Sequence, residues 1–240
     1  MLTRKKAMEK GKLIVEIDIN TVCNLSCNNC NRFSQFKSTF KTLDKYYIDE
    51  FIVANKHYGK DLVVAILGGE PTLHPDIDYI IINLAQHFNV ILTTNGLVHY
   101  TPPVDIVIED SSKTKDTEPV FALTMNAPID DPVYTDMDFS MGCRQSGICG
   151  NGFNERGYYP CSVAMNIDRM MHLPGGDLYG MSYLASDTLS NSYAYRSATL
   201  NKLCRYCGTF QNRHYGVLKA TNLGTEQVFS RSWKFMEKTK

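Results

Sequence analysis

Three cysteines within eight residues, Cys23, Cys27 and Cys30, are the part of this chain best suited to chemistry. Their spacing, Cys23-x3-Cys27-x2-Cys30, puts three thiolates on one short loop. Such a loop can ligate three irons of a four-iron cubane and leave the fourth without a protein ligand. An open position on a metal can chelate the amino and carboxylate groups of a small molecule, as catalytic metals do. A fourth nearby cysteine would close the site and leave an electron carrier. A structural zinc site is the competing reading. Zinc prefers paired ligands from two loops, and three cysteines from one loop fit it less well.

A second set lies downstream, as Cys143-x5-Cys149-x11-Cys161 followed at a distance by Cys204-x2-Cys207. Nothing in the chain signals secretion, so clustered thiols read as metal ligands rather than disulfides. On spacing alone, zinc and iron–sulfur both remain open for this set.

These ligands need a frame. Leu13 to Ile19 alternates and reads as a first strand, with the first cysteine loop directly after it. A helical pattern runs from about Leu43 to His57. Leu62 to Leu67 is a continuous apolar run, hence a buried second strand, ending at Gly68-Gly69-Glu70-Pro71. Asp76 to Phe88 reads as a helix and Val90 to Thr94 as a third strand, ending at Asn95-Gly96. This β-α-β-α-β rhythm predicts a parallel sheet with right-handed crossovers. Such sheets build their sites at the carboxyl ends of the strands. Strands four and five are expected near Val104–Glu109 and Val120–Met125, and a helix near Gly224–Lys240. Composition shifts near residue 130, which divides the chain into residues 1–130 and 131–240.

The cysteine spacing after strand one resembles the radical SAM superfamily signature, and Gly68-Gly69-Glu70-Pro71 resembles that family's glycine-rich motif. The resemblance implies an α/β partial (β/α) barrel. It also implies a [4Fe–4S] cluster on Cys23, Cys27 and Cys30 that binds S-adenosyl-L-methionine. The Gly68, Gly69 and Glu70 segment would receive the methionyl amino group, a carboxylate suiting an ammonium. Thr93 to Gly96, with Asn95, would line the same cavity. Glu109 and Asp110 would sit near the ribose. The family usually has an aromatic residue just before the last cysteine; this chain has Asn29, and Phe33 is a candidate for that role. Cys143, Cys149, Cys161, Cys204 and Cys207 resemble the SPASM and twitch auxiliary-cluster domains, here a small C-terminal module holding one auxiliary [4Fe–4S] cluster. Of its four ligand positions, Cys161, Cys204 and Cys207 fill three, and Cys143 and Cys149 compete for the fourth.

The function so implied is reductive cleavage of S-adenosylmethionine to a 5′-deoxyadenosyl radical that abstracts hydrogen from a substrate. A flavodoxin- or ferredoxin-type donor would supply the electron, and an auxiliary cluster would suit a two-electron oxidation. Two other readings stand beside it: a redox-neutral radical isomerase or modification enzyme acting on a nucleotide or nucleic-acid base, and a non-enzymatic zinc module. No peptide-recognition domain precedes the first strand, which points away from a leader-bearing peptide. Lys+Arg number 25 and Asp+Glu 25, so the formal net charge is zero and gives no general pull on nucleic acid. No apolar run reaches the roughly 20 residues of a membrane helix, and a cytoplasmic location is expected. His74 is expected on the surface or at a helix start, and Arg169, Met165, Met170 and Met171 in a core.

Overall fold

The computed structural model describes residues 2–39, 41–111, 120–143, 146, 150–176, 185–190, 192–210 and 223–239. Its centre is one sheet in the order β4-β3-β2-β1-β6-β7. The strands are β1 (Leu13–Asp18), β2 (Leu62–Leu67), β3 (Asn89–Thr94), β4 (Val107–Asp110), β6 (Asn151–Asn154) and β7 (Gly157–Tyr159). All pairings are parallel except β6 with β7. The predicted α/β architecture with a mostly parallel sheet is therefore present.

The helices between the first three strands form as their patterns predict. Asp44 caps α2 (Lys45–Asn55), its Oδ1 accepting from the Tyr46 N–H at 2.8 Å. In α3 (Ile77–His87), Ile77, Ile80, Ile81 and Leu84 recur at i, i+3, i+4 and i+7, one helix face. That face packs with Ile48 and Phe51 of α2 against Val15, Ile17, Val64 and Ile66 on the outer face of the sheet. A short N-terminal helix, α1 (Arg4–Glu9), places Ala7 against Ile14, Val63, Ala65 and Ile91 on the inner face.

Beyond β4 the chain departs from simple alternation. The expected fifth strand shrinks to β5 (Phe121–Ala122), which leaves the main sheet and pairs antiparallel with β8 (Leu223–Gly224). The place beside β1 goes instead to β6, with Val15, Glu16 and Ile17 opposite Asn151, Gly152 and Phe153. Residues on both sides of position 130 thus share one sheet. The following helices are α4 (Ser162–Met171) and α5 (Tyr193–Leu203). The tail expected as a helix is a 3-10 helix over Arg231–Thr239. A second core joins Phe33, Met165, Met170, Met171, Cys161, Cys204, Cys207 and Trp233. Among the described residues, no helix is long and apolar enough to cross a membrane.

Candidate active site

The cysteine loop is held on the sheet by its own backbone. The Gly69 N–H donates to the Asn20 carbonyl at 2.9 Å, and the Glu70 N–H to the Val22 carbonyl at 2.7 Å. Asn20 Nδ2 returns a bond to the Glu70 carbonyl at 3.0 Å. The glycines are required here. A Cβ on Gly68 would land on the Asn20 carbonyl oxygen, and one on Gly69 on that of Val22. The two motifs, far apart in sequence, are laced together at the ends of β1 and β2.

Glu70 extends the lacing to β3. It is fully buried. Its Oε1 accepts from the Thr72 N–H at 3.1 Å, the Thr72 hydroxyl at 2.7 Å and the Thr94 hydroxyl at 2.7 Å. Its Oε2 accepts from the Asn95 N–H at 2.8 Å. The carboxylate expected to face a ligand ammonium is turned inward, as a clasp between strand ends. Asn95 carries the chain of contacts back to the loop. Its Nδ2 donates to Asn24 Oδ1 at 2.7 Å and lies 3.9 Å from Cys23 Sγ, while its Oδ1 accepts from the Leu97 N–H at 2.9 Å.

These contacts border a cavity of about 170 Å³, open to solvent, lined by Cys23, Cys27, Cys30, Gly68, Gly69 and Thr93 among others. None of the three cysteines is in a disulfide, and all three are half-buried. Burial, and then the nearby charges of Cys30, Glu70 and Cys27, push the Cys23 thiol up to about 11 against the opposing Leu25 N–H. A Cys23 thiol so reluctant to ionise alone suits a bound cation that would share its charge. Among the described residues, no three His, Cys, Asp or Glu side chains converge tightly enough for a single ion. A cubane instead spreads its thiolates over separate irons. The cavity wall also holds an unsatisfied group, the buried Thr93 hydroxyl, which has no hydrogen-bond partner. The donor set and this orphaned hydroxyl fit a cluster carrying a polar ligand.

Other expected contacts fall elsewhere. Glu109 lies at the edge of the inner face, opposite Thr93, but its Oε1 accepts from the Arg4 N–H at 2.9 Å at the start of α1. It thus anchors a helix instead of reaching the cavity. Asp110, on the opposite face of β4, packs over Gly96. The Phe33 ring, the candidate aromatic, is fully buried and stacks on Trp233 with centroids 5.4 Å apart. His74, expected on the surface or at a helix start, lies just before α3 and is buried. Its Nε2 lies 3.0 Å from the Leu43 carbonyl and its Nδ1 accepts from the Asp76 N–H, and burial lowers its pKa.

The sequence reading missed a buried charge network below the cavity. Glu16 and Asp18 sit on the inner face of β1 at 0% and 6% exposure. Arg32, two residues after Cys30, meets Glu16 Oε2 at 2.6 Å and Asp18 Oδ1 at 3.2 Å. Arg4 pairs with Glu16, the Ser162 hydroxyl donates to Glu16, and Asn166 Nδ2 donates to Asp18 at 2.7 Å. Strand alternation made Glu16 and Asp18 look solvated; α4 and the cysteine loop cover them. Arg169 donates to the Arg32 carbonyl at 2.8 Å.

The second cysteine set is partly assembled. Cys161, Cys204 and Cys207 are buried in one core with Cys143 packed against it. Burial, then the proximity of Cys207, Cys161 and Cys143, drives the Cys204 thiol well above its ordinary value. Burial and Cys143 push Cys207 up to about 12. Cys149 lies outside the described residues.

Comparison with known proteins places this arrangement. Residues 17–115 match the family model of the Radical SAM superfamily. A Halobacterium salinarum protein named 7-carboxy-7-deazaguanine synthase is 29% identical over 104 residues, 40% of this chain and 39% of that protein. The match thus spans well under half of the relative's length. The crystal structure of BtrN in complex with AdoMet and 2-DOIA superposes with a TM-score of 0.47 at 14% identity, covering 82% of this chain and 92% of that one. An open form of BtrN gives 0.45 at 15% identity with the same coverage. The span matched by the family model, residues 17–115, holds the cysteine loop and the strand ends on which it is seated, and this part of the chain is similar to the radical SAM superfamily.

Proposed function

We propose that this chain reductively cleaves S-adenosyl-L-methionine and uses the product radical to take a hydrogen atom from a substrate, in a two-electron oxidation assisted by a second cluster. The observation that carries this reading is the seating of the loop of Cys23, Cys27 and Cys30 on the Gly68–Glu70 segment around one cavity. Cys23, Cys27 and Cys30 would hold a [4Fe–4S] cluster with one iron open. When bound, the cluster and S-adenosylmethionine supply one-electron cleavage of a carbon–sulfur bond and a 5′-deoxyadenosyl radical. The chain's own part is positional. Glu70 and Asn95 fix the strand ends, Gly68 and Gly69 admit the cysteine loop, and Leu25, Leu67 and Phe121 give the cavity apolar wall that limits water.

The grouping of Cys143, Cys161, Cys204 and Cys207 supports an auxiliary [4Fe–4S] cluster in this core. Such an oxidation would remove one hydrogen atom, one electron and one proton from the substrate, and Cys161, Cys204 and Cys207 with Cys143 would hold the group that accepts the electron. A flavodoxin- or ferredoxin-type donor would supply the initiating electron.

A second reading, redox-neutral modification of a nucleotide base, draws support from the relative whose name denotes a deazaguanine. The deciding experiment is iron, sulfide and zinc per chain after anaerobic reconstitution. About eight irons and eight sulfides are expected for two cubanes. About four irons with one zinc would remove the auxiliary electron acceptor and favour the redox-neutral reading. Zinc without iron would overturn both.

A further inference from the structure

The C-terminal segment contacts both cysteine groups. At the first, its receptor is Asn29, the residue where the sequence departs from the family pattern. Asn29 is fully buried and has φ 56°, a left-handed conformation that asparagine tolerates far better than most residues. Among the described residues, its hydrogen bonds run to residues 224–228. Its N–H donates to Gln227 Oε1 at 3.0 Å, and its Nδ2 donates to the carbonyls of Glu226 at 2.7 Å and Gly224 at 3.4 Å. Its Oδ1 accepts from Gln227 Nε2 at 3.2 Å and the Val228 N–H at 3.4 Å. Gln35, beyond Cys30, donates to the same Gln227 Oε1 at 3.2 Å. An amide side chain with both donors and acceptors can satisfy this surface; an aromatic ring cannot.

The segment is anchored along its length. β8 pairs with β5, whose Phe121 lines the cluster cavity. Asp130 receives the Ser230 and Ser232 hydroxyls and the Ser232 N–H at 2.5–2.8 Å. Next comes Trp233, fully buried. One face of its indole stacks on Phe33, three residues past Cys30, and its Nε1–H donates at 2.9 Å to the carbonyl of Tyr206, which lies between Cys204 and Cys207.

We propose that residues 223–239 form a strap that sets the positions of both cysteine groups together, with Asn29 and Trp233 as its positioning residues. The inference deepens the two-cluster reading, but its geometric core does not depend on which metal is bound. The strap holds the first loop through side-chain amides and the indole face, and the second through the indole N–H, so Gln227→Ala and Trp233→Phe release the two holds separately.

The test is hydrogen–deuterium exchange on the full metal-free chain, followed by electron paramagnetic resonance of the reconstituted, reduced chain. Gln227→Ala should speed exchange in residues 23–33 by about tenfold or more and leave residues 204–210 unchanged. It should also alter the spectrum of the first cluster alone. Trp233→Ala should loosen both segments. Trp233→Phe keeps a ring on Phe33 but removes the indole donor, so it should restore protection to 23–33 and not to 204–210. Unchanged exchange at 23–33 in Gln227→Ala would overturn the proposal, even if Trp233→Ala fails to fold. So would equal loosening of both segments in Trp233→Phe. If reconstitution yields zinc without iron, the two-cluster reading fails, and the exchange pattern still decides the strap.

Discussion

Glu70→Gln separates two roles that the sequence could not distinguish. The substitution preserves shape but exchanges one carboxylate oxygen for an NH2 group. Four donors surround the native carboxylate, three on Oε1 and one on Oε2. An amide has one acceptor oxygen. If it takes the Oε1 place, its NH2 faces the Asn95 N–H, donor against donor; the reverse orientation orphans the Thr72 N–H and forces both hydroxyls to turn away. A hydrogen bond to a charged acceptor is worth about 1.5–3 kcal/mol net, and a buried unsatisfied N–H costs about 1–3. With partial relaxation, a loss of about 2–4 kcal/mol follows. For a chain of this size that corresponds to a melting shift of roughly 5–15 °C. The assay is urea unfolding of the metal-free chain under anaerobic conditions, where no ligand contributes. Stability within about 0.5 kcal/mol of the unaltered chain, the range of ordinary surface substitutions, would refute the inward clasp. Weakened S-adenosylmethionine binding with unchanged stability would instead put the carboxylate in the cavity.

Two further outcomes follow from the same geometry. Gly69→Ala drives a Cβ into the Val22 carbonyl and must displace the cysteine loop, so iron retained after reconstitution should fall well below that of the unaltered chain; full iron content would contradict the seating described above. Burial by itself would raise the Asp130 pKa, but the Ser230 and Ser232 hydrogen bonds, with Arg231, outweigh it and hold the carboxyl below its usual value. A group depressed on folding contributes stability above its unfolded pKa of about 3.9 that is lost as pH falls through the folded value. Fluorescence of Trp233, the chain's one tryptophan, should therefore report loosening of the strap on acidification below about pH 4. Asp130→Asn should show the loosened signal already at neutral pH, and an identical acid profile in both chains would exclude Asp130 as the anchor.

The sequence by itself determined the first three strands, the two helices between them and the place of the first cysteine group directly after β1. Each is a local pattern. Ile77, Ile80, Ile81 and Leu84 define a helix face by spacing alone, Leu62 to Leu67 define a buried strand by continuity, and Cys23, Cys27 and Cys30 declare their chemistry within eight residues. Glycines after a strand were legible as a functional cradle, although their missing Cβ atoms turn out to admit the cysteine loop.

Tertiary structure decided the rest, because the deciding partners lie far off in sequence. Whether Phe121–Ala122 joins the main sheet depends on β6 taking the place beside β1 and on Leu223–Gly224 offering another edge. Glu16 and Asp18 carry the alternation of a half-exposed strand, and only the arrival of Arg32, Ser162 and Asn166 makes their burial tolerable. Glu70 turns inward because Thr94 and Asn95 stand one strand away with donors to spare. Asn29 reads as a lapse from a motif until residues 224–228 are laid across it. Residue type and spacing state what chemistry a chain can perform; which groups remain free to perform it depends on the hydrogen bonds that folding assigns, because a buried polar atom left unpaired costs more than the fold can absorb many times over.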